Sequence, residues 1–228
     1  MKKNSFDECL KNCYCHGRKD IKGEMCMAWE VFSLIGTIAF AVSGAIVAME
    51  EEYDLFGVYI LGIVTAFGGG AIRNILIGLP VSTLWNQEFL FQIALLAITI
   101  FFLIPHHLIK HWNRWGNMTD AIGLSAFAIQ GAMHAVHQDL PIVAVIVAAV
   151  LTGAGGGVVR DLLAGRKPIV LRHEIYGVWA ASAGFLIGLE IFAGDLFLYI
   201  LFILITFLRI CSYTKGWRLP SKKIHYNK

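Results

Sequence analysis

Seven apolar stretches, each near the length of a membrane-crossing helix and joined by short polar connections, leave this chain few ways to fold. A hydrocarbon core of about 30 Å takes roughly 20 apolar residues as a helix. The stretches fall at Ala28–Met49, Phe56–Leu79, Glu88–Ile109, Met118–Val136, Pro141–Ala164, Glu174–Ala193 and Leu196–Cys211. With 57% hydrophobic and 15% charged residues, the chain has too little polar surface to dissolve as a globule. The alternating pattern of a membrane β-strand is absent, so the expected class is an all-α integral membrane protein. The first stretch follows some 27 polar residues and is too long for a signal-peptide core, so it reads as a retained span.

Charge orients the bundle, because short cytoplasmic loops carry the Lys/Arg excess. One set of connections holds Lys110 and Arg114, then Arg166, Lys167 and Arg172, then a tail with Arg209, Lys215, Arg218, Lys222, Lys223 and Lys228; the other reads WNQE, HQDL and AGD and has no Lys or Arg. The expectation is a multi-pass protein of the inner (plasma) membrane with a cytoplasmic C-terminus and, for seven spans, an external N-terminus. The N-terminal tail, with six basic residues against four acidic ones, opposes this with a small net charge.

The chain also matches itself. A shift of 87 positions lays GTIAFAVSGA (Gly36–Ala45) on GLSAFAIQGA (Gly123–Ala132) with six identities in ten. It also lays Thr65, Gly68, Gly69, Gly70, Arg73, Leu76 and Gly78 on Thr152, Gly155, Gly156, Gly157, Arg160, Leu163 and Gly165. Each copy holds three spans, so the second enters the membrane from the opposite face. The chain divides into a polar tail (1–27), a first three-helix repeat (28–115), a second, inverted repeat (116–193) and a seventh helix with a basic C-terminal tail (194–228). Inverted repeats of this kind are a device of transport proteins, with the site near the midplane where the copies meet.

The glycine triplets Gly68–Gly70 and Gly155–Gly157 stand where that rule puts a site. A glycine inside a helix costs up to about 1 kcal/mol relative to alanine. Small residues usually mark close helix packing, but packing needs only one bare face, and a triplet strips a whole turn. A kink with exposed carbonyls, suited to replacing part of a cation's hydration shell, is therefore the expectation. Gly69→Leu or Gly156→Leu should then abolish flux and leave the fold intact. Scattered glycines (Gly36, Gly44, Gly123, Gly131, Gly184, Gly188) are assigned to packing.

Charged residues at membrane depth are functional candidates. Arg73 and Arg160 each lie about one helical turn past their glycines, and the opposed helices place them on opposite sides of the midplane, like collars around a constriction. Arg160 and Asp161 point about 100° apart on a helix and are not expected to pair. Asp120, opening the fourth span on the same side, is the expected partner of Arg160; the alternative is that Arg160 caps nearby carbonyls or snorkels. In the first copy Asn74 stands where Asp161 stands, and Ser33 where Asp120 stands.

Other features carry less. Cys9, Cys13, Cys15 and Cys26 crowd the N-terminal tail and would allow a disulfide there, whereas their spacing lacks the paired arrangement of zinc sites. His106, His107 and His111 with Trp112 and Trp115 form an interfacial belt, and His134 and His137 read as interface solvation. Glu50–Asp54 is a solvated turn or a cation-concentrating mouth. GAGGGVVRD lacks the strand and the GK[ST] ending of a phosphate loop. No nucleophile, base and orienting acid come together, so neither catalysis nor a metal site is expected.

With these motifs in view, GTIAFAVSGA, DLFGVYILGIVTAFGGGAIRNIL, DAIGLSAFAIQGA, GGGVVRDLLAGRKPIVLRHEIY and LRICSYTKGWRLP resemble the trimeric intracellular cation channel family, whose prokaryotic members overlap with the bacterial glycine-transporter-domain family. The resemblance runs from about Ala28 to Pro220. It implies a homotrimer with one potassium-preferring pore per subunit, lined by glycine-kinked second and fifth helices, with Arg73 and Arg160 as gating or structural charges. Asn74 departs from the aspartate that usually follows the first arginine. The phosphoinositide-binding Lys-Glu-Val motif of eukaryotic members is also missing. The expected partners are further copies of the chain and membrane lipid, with no nucleic acid and no cofactor besides the transported cation. The alternative is a secondary transporter of a small neutral amino acid such as glycine or alanine.

Overall fold

The computed structural model describes residues 22–104, 112–171, 175–190 and 194–217. Among them are seven α-helices and no strand: α1 (Lys22–Glu50), α2 (Leu55–Leu76), α3 (Glu88–Leu103), α4 (Trp112–His137), α5 (Ile142–Leu163), α6 (Tyr176–Gly188) and α7 (Asp195–Lys215). Short 3₁₀ turns follow α2 (Val81–Gln87) and α5 (Ile169–Leu171). The side chains of Cys9, Cys13, Cys15, Cys26, His106, His107, His111 and Trp112 lie outside the described residues.

Local chemistry sets the helix ends. Asp54 caps α2 by accepting a hydrogen bond from Gly57 N–H at 2.8 Å. At the other end Gly78 (φ +76) and its repeat equivalent Gly165 (φ +68) take the left-handed conformation that closes a helix. Leu79 N–H then reaches Asn74 C=O, and Arg166 N–H reaches Asp161 C=O, both at 2.8 Å.

α1, α2, α4 and α5 form the centre. α1 packs on α2 and α4, and α5 on α2, α4 and α6; α3 lies against α1 and α2, and α7 against α4 and α6. The contacts between copies are reciprocal. A methyl group on Gly36 would collide with the Phe127 ring, and one on Gly123 with the Phe40 ring, while the two rings meet edge to face at 5.2 Å. Positions 36 and 123, and 40 and 127, are related by the same 87-residue shift. This is the signature of a twofold axis. With three helices per copy, the axis lies in the membrane plane and the repeats are inverted.

Five helices are long and apolar enough to cross a membrane by length and composition. The fourth and sixth expected spans differ in kind. α4 carries Asn117, Gln130 and His134 but is wrapped by its neighbours, with Ala126, Ala128, Ile129 and Ala132 fully buried, so it needs no lipid-facing apolar stripe. α6 has 13 residues, shorter than the expected Glu174–Ala193. It ends just before Glu190, whose φ of +50 a helix cannot continue through. Arg209, read from sequence as part of the basic tail, lies inside α7 and is 1% exposed.

Candidate functional site

Both glycine triplets sit in helix that runs through them without interruption. The glycines let α2 and α5 touch backbone to backbone. A Cβ on Gly69 would run into the Thr152 carbonyl oxygen, and one on Gly156 into the Thr65 carbonyl oxygen, again a reciprocal pair; one on Gly155 would come within 3.2 Å of Gly69 Cα. The helix hydrogen bonds remain in place because each glycine adopts ordinary helical geometry. What the missing side chains provide is proximity. Thr65 and Thr152 donate to Leu61 C=O and Ala148 C=O at 2.6 Å in matched bonds, a pattern that bends a helix gently without breaking it.

The third glycine of each triplet has a different setting. A Cβ on Gly70 or Gly157 would meet its surroundings at ordinary contact distance, with the Nη2 atoms of Arg73 and Arg160 at 3.9 and 3.7 Å. Within each triplet the middle glycine is therefore the one whose missing side chain the helix contact requires.

Arg160 is 3% exposed and lies at the centre of a charged cluster. Its Nη1 donates to Asp120 Oδ1 at 2.7 Å and to Ser43 Oγ at 2.6 Å. Its Nε donates to Asp161 Oδ1 at 2.9 Å, and Nη2 stands 2.8 Å from the same oxygen. The expected Asp120 contact is present. The expected separation from Asp161 is not: the Cβ atoms diverge, but the long arginine stem curls round to its neighbour while the carboxylate folds back. Asp161 Oδ2 also accepts from Ile169 N–H at 3.0 Å, tying the cluster to the following 3₁₀ turn. Behind Asp120 stands Tyr176 of α6, and the Arg209 guanidinium lies 4.5 Å over the tyrosine ring. A buried ion pair is tolerable only when its remaining hydrogen-bonding capacity is met, and here Ser43 of α1 and the Ile169 backbone add to the carboxylates of α4 and α5.

The first copy builds the same shell from neutral groups. Arg73, 5% exposed, donates Nε and Nη2 to Asn74 Oδ1 at 3.1 and 2.9 Å. Asn74 Nδ2 donates to Thr83 Oγ1 in the next 3₁₀ turn at 3.0 Å, as Asp161 binds Ile169. Gln130, the repeat equivalent of Ser43, donates to Ser33, the equivalent of Asp120. Arg73, Gly70, Ser33, Thr37, Gln130 and Thr152 line a small, partly open pocket with room for about one water.

At the end of α5, Arg166 binds Glu50 at 2.8 Å and also Glu51, and Tyr53 Oη donates to Leu163 C=O at 2.8 Å. Burial alone would lower the Arg166 guanidinium, and the hydrogen bonds to Glu50 and Glu51 outweigh it, holding the group above its ordinary value. The acidic turn is thus a clasp between the α1–α2 and α5–α6 connections, which share one face of the bundle.

The structure brings Asp120, Arg160 and Asp161 together and places Arg73 with Asn74 at the other end of the α2–α5 crossing. Sequence reading missed Ser43, Gln130, Tyr176 and Arg209. The first two had a signal, since the repeat aligns Ser43 with Gln130 at a polar position inside an apolar run. Arg209 had one too, as the lone guanidinium within the apolar seventh stretch.

A family model described as glycine transporter matches the chain twice, over residues 30–106 and 117–191, once in each copy. The UPF0126 membrane protein YvgT of Bacillus subtilis is 67% identical over 196 residues, covering 86% of this chain and 97% of that one. In structure, a TRIC cation channel superposes with a TM-score of 0.74 at 34% identity, covering 87% of this chain and 98% of that one. The TRIC trimeric intracellular cation channel orthologue from Rhodobacter sphaeroides does so with a TM-score of 0.73 at 33% identity, covering 82% and 98%.

Proposed function

This chain belongs to the prokaryotic trimeric intracellular cation channel family, which overlaps the UPF0126 membrane proteins and the glycine-transporter model, and on that premise we propose that it is a passive, potassium-preferring cation channel. The observation that carries the reading is the whole-length likeness to solved TRIC cation channels, at 34% identity over 87% of this chain. Under this reading three copies assemble in the inner membrane, each with its own path along the α2–α5 crossing. The N-terminus is outside and the C-terminus cytoplasmic, the orientation that the loop charges favour. The path runs between the Arg160 cluster and the Arg73 pocket.

Purified protein reconstituted in planar bilayers with potassium chloride should give discrete unitary currents with a cation-selective reversal potential. The glycine-transporter description of the matching family model favours a second reading as a carrier of small amino acids. Glycine counterflow in proteoliposomes without unitary current would replace the channel by that carrier.

A further inference from the structure

The two arginine clusters are equivalent by the repeat, yet their electrostatics differ. Around Arg160 the equivalent positions hold two carboxylates, Asp120 at 2.7 Å and Asp161 at 2.8 Å. Around Arg73 the same positions hold Ser33 and Asn74. Asn74 is in place, with its carbonyl oxygen 2.9 Å from Arg73 Nη2, so the substitution changes charge without changing geometry. At these two positions the halves of the bundle therefore differ by two formal charges.

We propose that Asn74, seated on Arg73 where the other copy seats Asp161 on Arg160, sets the direction of easy cation flow, with Ser33 adding to it. The inference rests on the channel reading above. A carboxylate beside a path concentrates cations at that mouth. Cations thus enter more readily from the Arg160 end than from the Arg73 end, and in symmetric salt the current is larger in that direction. One unit charge about 10 Å from the path, screened as in water, changes local cation occupancy roughly twofold.

The test is the current–voltage curve of single insertions of the full-length protein in planar bilayers with symmetric potassium chloride. The wild type should rectify roughly twofold at low salt and less as rising salt shortens the screening length. Asn74→Asp preserves the shape of the side chain, keeps an oxygen for Arg73 and can accept from the Thr83 hydroxyl; it should bring the ratio towards one. Ser33→Asp should act in the same direction and serves where Asn74→Asp does not assemble. A linear wild-type curve, or a ratio unchanged in both variants, overturns the proposal and leaves the channel intact. Absence of unitary current in the wild type overturns both.

Discussion

Arg160 illustrates how a charge survives inside a membrane protein: it meets Asp120, Asp161 and Ser43 together, so no donor direction faces lipid alone. Removing one partner of a buried pair typically costs about 3–5 kcal/mol. Asp120→Asn should sit at the low end, near 3 kcal/mol, since Asp161 remains, and thermal unfolding in detergent would read it. Because both carboxylates share one guanidinium, Asp120→Asn and Asp161→Asn should be non-additive by about 0.5–3 kcal/mol in a double-mutant cycle. The swapped pair Asp120→Arg with Arg160→Asp should rescue little, as the new aspartate would face Asp161 and could not bridge to Ser43. Of this cluster, the Asp120–Arg160 contact was legible in the sequence from topology alone, because both residues close the same face of the bundle. The Arg160–Asp161 pair was not, since helical angles locate Cβ atoms and not the guanidinium at the end of a three-carbon stem. Tyr176 and Arg209 come from helices outside the alignment that organised the reading, so nothing linked them to Asp120.

At the scale of the helix, the distinction within each triplet decides what substitution does. Gly69 and Gly156 abut backbone that cannot swing aside, so an alanine at either should force α2 and α5 apart at a cost of about 1–3 kcal/mol. Gly68 has nothing nearer than 3.9 Å to an added methyl, and Gly68→Ala should leave stability unchanged or raise it by about 0.5–1 kcal/mol. Melting temperatures of the three variants check this ordering; equal losses at all three would show that helix propensity, not contact, sets the effect. Gly69→Leu is accordingly expected to impair folding, unlike the flux-only defect that the sequence suggested. Hydropathy revealed the apolar helices because lipid imposes it on any exposed surface. It also located α4, although other helices cover it, and carried α6 past its end at Gly188, and it could not separate a kinking glycine from a packing one. Both lower helix propensity, and only the partner helix shows which is at work.

For the molecule as a whole, the reciprocal Phe40–Gly123 and Phe127–Gly36 contacts and the Arg166 clasp fix which connections share a face. Single cysteines at Glu51 and Arg166 should both react with a membrane-impermeant maleimide applied from one side, and cysteines at Thr83 and Asp139 from the other. Labelling of Glu51 and Asp139 positions from the same side would contradict the inverted arrangement. Arg166→Ala should change stability by no more than about 1 kcal/mol, the scale of a partly exposed ion pair, and less in high salt. The fold was the most legible level, because a repeat of odd helix number dictates inversion without any reference to contacts.

The Phe–Gly contact made twice has a further consequence for ancestry. A half-length chain carrying the aromatic ring and the bare glycine at their own positions holds everything needed to pair with an upside-down copy of itself. Such a peptide would have to insert in both orientations, and any mutation in it would appear at both ends of the assembly at once. Joining the halves in one chain removes that constraint. Position 74 could then hold asparagine while position 161 held an acid, and the two ends of the α2–α5 crossing were free to be unlike.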